Sequence, residues 1–337
     1  MPVNRLSLGL ALMSATALAA PSQLEAQAQA PVAHAPSSGL SITLLGTAGG
    51  PPPHADRSQP ATLLQIDGTS YLIDAGENVG QQLKRAGSAP QAVTTTFITH
   101  LHWDHTLGLG YLMATGWMMG RNAPMAIWGP PGTSEYVTRE TAALKIGEDI
   151  FHDQTPNRPA LASLYPAHDV DVGTPREIYR DAHVTVSAVA NTHYGTLKTA
   201  TRDYGPQKSY AYRFDTAKGS VTFTGDTGPS PAVANLAKNS DVLVSEVCDV
   251  DGIRATLLET MPADKIGPLM EHMEHEHLTP TEVGKLAQAA GVHEVVLTHF
   301  VVGKSFDAKR MIAEIRQAYP VGRIVLGKDL QTIAVTK

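Results

Sequence analysis

The sequence predicts an α/β protein built as a four-layer αββα sandwich, and two observations lead there. Strand and helix patterns alternate through both halves of the chain, and no linker or compositional break separates the halves. Two β-rich halves, each with helices to cover it, bury their apolar faces as sheet on sheet with helices outside. Ser41 to Leu45 (SITLL) is a short apolar strand ending in the Gly46 to Gly50 turn. Thr62 to Ile66 and Tyr71 to Ile73 read as a hairpin about Asp67-Gly68, a pair suited to tight strand reversal. Gly80 to Ala86 has amphipathic helical spacing, Thr94 to Ile98 (TTTFI) is a buried strand, and Thr133 to Leu144 is helical in pattern. Ile150 to Gly173 shows no clear period.

The second half repeats the theme. Val184 to Val189, Tyr210 to Phe214, Ser220 to Thr224 and Asp241 to Ser245 are predicted strands, with a helix over Pro231 to Lys238. Thr279 to Ala290 is predicted as a helix with a Thr cap, Pro in the first turn and Glu282 three residues on, a capping-box arrangement. Glu294 to Leu297 is a strand, Asp307 to Ala318 a helix, and two terminal strands close the chain.

The N-terminus reads as an address. One positive charge in Met1 to Arg5 precedes the apolar run LSLGLALMSATALAA, and small residues follow at Ala-X-Ala spacing. The run is short for a membrane span, and Gln23 to Ser38 has the Ala-, Gln- and Pro-rich composition of a tether. The expected organisation is a signal peptide and tether over 1–30 and one folded domain over 31–337, working in the periplasm or outside the cell. The single cysteine, Cys248, excludes an internal disulfide and a thiolate-based zinc site. A net charge of −6 with no Lys/Arg run argues against a nucleic-acid partner.

The fourteen histidines carry the chemistry. In Thr99-His100-Leu101-His102-Trp103-Asp104-His105, three imidazoles and a carboxylate follow directly on a buried strand. His100 and His102, two apart in an extended segment, face the same way and can share one ion. Asp104 and His105 lie where the chain turns into a helix and can reach a second. Imidazole and carboxylate together suit zinc, with manganese or iron compatible.

This His-X-His-X-Asp-His segment resembles the signature of the metallo-β-lactamase superfamily, and the resemblance extends over essentially all of the chain after its leader. It implies His193 as the third ligand of the first metal, Asp226 as the carboxylate bridging both, and His299 as the last ligand of the second. Asp74 matches a position that supports the His-rich loop by hydrogen bonds; a turn-capping Asp is the alternative. Asp226 stands where di-zinc β-lactamases carry Cys or Ser, which turns the reading away from antibiotic hydrolysis.

Leu45-Gly46-Thr47, the segment APMAIWGPPGT (123–133), Ser245-Glu246 and His277-Leu278-Thr279 resemble instead the ribonuclease Z and arylsulfatase-like branch. The resemblance implies a catalytic set of Asp104, His277 as proton donor and Glu246 orienting it. Position 245 is Ser where that branch commonly has His, and His275 is an alternative donor; a solvated mixed-charge loop through His272, His275 and His277 is the non-functional reading. The implied chemistry is hydrolysis of a phosphodiester, aryl sulfate or related small anionic ester by a hydroxide bridging two zinc ions. RNA processing is not expected, because of the charge balance, the export signal and the lack of a Gly- and basic-rich arm. Relatives of the branch are often dimers. The rival readings are lactone or carboxylic ester hydrolysis, a mononuclear iron dioxygenase acting on thiols or persulfides, and a non-catalytic metal-binding protein. Tyr111, Met113, Trp117, Met118 and Met119 fit core better than a pocket, and His54, Asp56 and Arg57 are candidates for the rim, Arg57 as an anion anchor.

Overall fold

The computed structural model describes residues 39–199, 201–304 and 306–337; the leader and tether expected from the sequence lie outside them. Strands β1 (Leu40–Gly46), β2 (Ala61–Ile66), β3 (Thr69–Ile73), β4 (Val93–Phe97), β5 (Ala126–Gly129) and β6 (Ala167–Asp169) belong to a first sheet. A second sheet takes β7 (Arg176–Arg180) and β8 (Val184–Ala190). After a small ribbon of β9 (Thr201–Arg202) and β10 (Gly205–Pro206), it also takes β11 (Tyr210–Thr216), β12 (Ser220–Phe223), β13 (Val242–Cys248), β14 (Glu294–Val301) and β15 (Arg323–Leu326). The last strand, β16 (Gln331–Val335), returns to pair antiparallel with β1. The orders are β16-β1-β2-β3-β4-β5-β6 and β15-β14-β13-β12-β11-β8-β7.

Between the sheets lies an aromatic and aliphatic core that includes Leu44, Tyr71, Phe97, Tyr212, Phe214 and Val244. Phe97 meets Phe214 edge to face at 5.2 Å, and each such buried side chain stabilises the fold by roughly 1.5–3 kcal/mol. On the far side of the first sheet, α1 (Val79–Arg85), α3 (Leu109–Met118) and α4 (Thr133–His152) supply Leu83, Leu112, Met113, Trp117 and Val137 to a second core. The one-turn α2 (Trp103–Thr106) precedes α3. On the second sheet α5 (Pro231–Leu236), α8 (Pro280–Ala290) and α9 (Ala308–Ala318) do the same through Val233, Leu286 and Ile315. The four layers expected from the sequence are there. Among the described residues no helix is long and apolar enough to cross a membrane.

The Asp67-Gly68 hairpin forms with both residues at positive φ (47° and 89°), as a tight turn matched to strand twist requires. The capping box at Thr279 is complete, Oγ1 accepting from Glu282 N and Glu282 Oε2 accepting from Thr279 N. Two helices were not legible. α6 (Val250–Leu258) was not predicted, α7 (Gly267–His275) runs through residues read as a mixed-charge loop, and α4 extends two turns beyond Leu144. Met113 and Trp117 are core, as expected, whereas Tyr111 and Met119 are exposed.

Candidate metal centre

The ends of parallel strands converge at one rim of the sandwich. β4 delivers Thr99 and His100 at its C-terminal end, beside β3, whose last residue is followed by Asp74. Asp74 adopts the left-handed region (φ 58°), a conformation that costs a non-glycine residue about 1–3 kcal/mol and gathers at functional sites. Its carboxylate accepts from Thr99 N (2.7 Å), Thr99 Oγ1 (2.9 Å) and His105 Nδ1 (2.8 Å). Asp74 thus fixes the tautomer of His105 and turns its Nε2 inward.

The second sheet contributes the rest. Past β12, Gly225 sits at φ 57°, and a Cβ there would lie 2.6 Å from the Tyr210 carbonyl oxygen, so only glycine lets the chain swing Asp226 into the rim. Past β8, Asn191 holds the turn: its Nδ2 donates to Thr224 O and its Oδ1 accepts from His193 N. His193 Nδ1 donates to the Glu276 carbonyl at 2.9 Å, which leaves Nε2 for the site. The register of β13 against β14 slips between Ser245/Leu297 and Val247/Phe300, so Glu246 faces two residues, Thr298 and His299. His299 carries φ 43° at this bulge. Bulges re-aim side chains, and this one points both Glu246 and His299 at the centre. His299 is therefore inside a strand, not at its end as the pattern suggested.

The ligand atoms form two adjoining groups, His100 with His102 and His193, and Asp104 with His105, Asp226 and His299. Asp226 Oδ2 lies 3.1 Å from His299 Nε2, 3.3 Å from His105 Nε2, 3.8 Å from His100 Nε2 and 3.9 Å from His193 Nε2. His193 Nε2 is 3.1 Å from His102 Nδ1, and Asp104 Oδ2 is 3.3 Å from His299 Nε2. Two ligands about 2.0–2.1 Å from a zinc ion at tetrahedral angles stand roughly 3.3 Å apart. His100 Nε2 and Asp226 Oδ1 are buried without any hydrogen-bond partner, a cost of about 1–3 kcal/mol each that a cation removes. The donor set fits divalent metal.

Charge follows the same division. Burial pushes His100 and His193 well below the ordinary imidazole value and His102 down to about 4, the neutral form that binds metal. Burial works against charge on Asp226 and Asp104 too, but His299 and His105 beside the first, and His105 beside the second, hold both carboxyls well below their usual range. Burial likewise opposes a proton on His105, yet Asp226, Asp104 and Asp74 together push it well above the imidazole value.

Next to the ligands, His277 Nδ1 meets Glu246 Oε2 at 2.6 Å, both side chains buried. Glu246 also accepts from Thr227 N at 2.6 Å. His275 is exposed at the end of α7, so of the two only His277 is buried beside the ligands. The sequence reading left Glu276 out and placed His272 in a solvated loop. Glu276 is buried, accepting from His272 Nδ1 and Thr196 N, and so ties α7 to the loop carrying His193. His272 itself lines the cleft, its ring 5.1 Å from that of His277. The Glu-His-Glu-His run was visible; the helix that sorts inward from outward members was not. Arg57 does not rim the site. Its guanidinium donates to Thr47 Oγ1 (2.7 Å) and the Gly327 carbonyl (3.3 Å) and lies over Phe300, a latch on the turn after β1.

Above the ligands opens a cleft of about 370 Å³, walled by Trp103, Leu269, Met273, His272 and His277 with Asp104 and Asp226 on its floor.

Residues 69–300 match the Beta-lactamase superfamily domain. A ribonuclease Z from Mycobacterium sp. (strain KMS) is 33% identical over 304 residues, 88% of this chain and 96% of that protein. Among solved structures, the metallo-β-lactamase fold protein YhfI from Bacillus subtilis shares the fold at TM-score 0.62 and 19% identity, covering 88% of this chain and 99% of that one. The short form of human tRNase Z does so at TM-score 0.61 and 19% identity, covering 88% and 100%. A relative named as a ribonuclease, alike over nearly its full length, overturns the expectation that nucleic acid is no partner. The physical reason is that net charge averages the whole surface, whereas phosphate binding is decided by a local patch.

Proposed function

Because the chain belongs to the β-lactamase superfamily, in its ribonuclease Z branch, we propose that its cleft cleaves phosphodiesters, nucleic-acid backbones among them, with two divalent ions held by the clustered ligands. The chain is a metal-dependent hydrolase acting on ester bonds. The observation that carries the finer reading is the position of Asp226, one carboxylate oxygen within 3.1–3.9 Å of imidazoles in both ligand groups. A single anion shared this way suits a pair of ions. Zinc is the natural occupant of such donors, with manganese and iron sharing the preference.

Bound divalent ions make water nucleophilic at neutral pH and neutralise charge on the substrate. The protein's side chains do the remaining work. Asp74 and the Glu276 carbonyl hold the His105 and His193 rings so that their Nε2 atoms face in. Glu246 grips His277 by Nδ1, and when the ring carries both protons its Nε2–H is the one free to pass to the departing oxygen. The N-terminal apolar run and its small-residue spacing support export, so this proposal places the enzyme outside the cytoplasm. Aryl sulfates and other small anionic esters fall within the same chemistry.

The test is a substrate panel on purified, zinc- or manganese-loaded protein: bis(4-nitrophenyl) phosphate, a short RNA, 4-nitrophenyl sulfate and a lactone. Turnover of the two phosphodiesters well above the lactone supports the proposal. Turnover of the lactone alone contradicts it.

A further inference from the structure

A second hollow, of about 170 Å³, meets the main cleft at Leu101 and His102 and is lined by Tyr194, Tyr204, Gln207 and Lys208. Apart from His102, none of its lining residues is a candidate metal ligand or the proton donor. Tyr204 stands on the β9–β10 ribbon, 43% exposed, its ring packed over Gly132, where any Cβ would lie 2.8 Å from it. The Lys208 ammonium is held there by Asp171 and the Val172 carbonyl. The main cleft differs in character. Its lip is Trp103, 68% exposed although it sits between two ligand residues, and Leu269 and Met273 face the same space. An indole left in water beside a reaction centre has no packing role to explain it.

The two hollows are not equivalent with respect to the proton donor. His277 opens only on the Trp103 side, and a general acid has to lie within hydrogen-bond reach of the oxygen it protonates. Resting on the phosphodiester reading above, we infer that the two hollows divide the substrate. The leaving group stacks on Trp103 in the larger one, and the ester group that stays on phosphorus extends past His102 into the smaller one, against Tyr204. In the balanced step, the water oxygen bonds to phosphorus and gives up one proton to bulk solvent, the bond from phosphorus to the leaving oxygen breaks with its electron pair on that oxygen, and that oxygen takes a proton from His277, which solvent then reprotonates. The substrate this describes is a diester with a flat group on its leaving side and a second substituent on its retained side, not a monoester.

The experiment compares two ratios of kcat/KM in the full, metal-loaded enzyme. The first holds the retained group as methyl and sets a 4-nitrophenyl against a small fluorinated-alkyl leaving group. The second holds 4-nitrophenol as leaving group and sets a retained thymidine against a retained methyl. Trp103→Ala should lower the first ratio about tenfold, the scale of one lost aromatic stack, and leave the second ratio as in the wild type; Trp103→Phe should restore the first. Tyr204→Ala should do the reverse, lowering only the second ratio by about as much. Ratios that fall together, or that fall in the exchanged order, overturn the division while leaving the diester reading intact. A wild-type enzyme that turns over none of these diesters sinks that reading and the division with it.

Discussion

Replacing His277 by Ala separates proton donation from everything else the cleft does. The ring is held at 2.6 Å by Glu246 and is buried, so it has one orientation and one free nitrogen. General acid catalysis contributes about 10²–10⁴-fold, or about 3–5.5 kcal/mol of barrier at roughly 1.4 kcal/mol per factor of ten. The benefit scales with how badly the leaving oxygen needs a proton. A ribose or alkyl alkoxide is a poor leaving group, and nitrophenolate departs without help. His277→Ala should therefore lose at least about a hundredfold in kcat/KM on a dinucleotide, and only severalfold on bis(4-nitrophenyl) phosphate. The fold should survive. Glu246 loses a hydrogen bond worth about 1.5–3 kcal/mol but keeps the Thr227 N–H. Glu246→Gln, which retains a contact and removes the charge, should fall between wild type and His277→Ala on the dinucleotide. The assay is steady-state kinetics on both substrates with metal content measured on the same samples. Equal losses on the two substrates at unchanged metal content would refute proton donation and leave His277 a positioning residue.

Three further predictions follow from the same geometry. Asp74→Ala strips the inward-holding bonds from Thr99 and His105 and should weaken metal binding about 10- to 100-fold; competition with a chromophoric chelator reads this, and unchanged affinity would reduce Asp74 to a turn residue. Asp181 accepts from the Tyr71 and Tyr179 hydroxyls (2.6 and 2.9 Å) and from His183 N and Val184 N. Burial opposes its charge, but these donors win and its carboxyl titrates below the ordinary value. The stability this contributes is present above the unfolded carboxyl's value and is lost as pH falls through the depressed folded one, so the gap between wild type and Asp181→Asn in urea melts should shrink from pH 7 to pH 3; a constant gap would deny the linkage. Trp117, 2% exposed with Nε1 donating to the Pro159 carbonyl, should cost about 3–5 kcal/mol on replacement by Ala, seen as a lower urea midpoint; a change under about 1 kcal/mol would mean the α3 core collapses freely around the gap.

How far the sequence reached depends on what kind of signal each residue sends. The His-rich loop and the strands before it were legible because strict local spacing and a buried run put the ligands on a rigid edge. The capping box over Thr279 and the Asp67-Gly68 turn were legible because each is a short-range hydrogen-bonding or dihedral requirement. α7 was not, because it buries little besides Met270 and Met273 and its other positions alternate charge and imidazole, which hides the helical period. β7, an edge strand reading REIYR, is half exposed and carries no apolar alternation. The bulge that aims His299 and Glu246 depends on β13 and β14 together, and no single strand encodes it. Arg57 looked like an anion anchor on a loop; it holds the nearby Thr47 and, 270 residues away in the chain, the Gly327 carbonyl. Nucleic-acid binding was set aside on net charge, the export signal and the lack of a Lys/Arg run or basic arm, none of which shows where basic side chains gather on the folded surface.

On the proposal above, Asp226 joins two metal sites. Metal content per chain, measured by elemental analysis on zinc-loaded wild type and on Asp226→Ala with phosphodiesterase activity followed alongside, tests it most directly. Two ions per wild-type chain, with the second ion and the activity lost together in Asp226→Ala, is the predicted result. One iron per chain with oxygen uptake, or full activity in Asp226→Ala with a single ion, would contradict it.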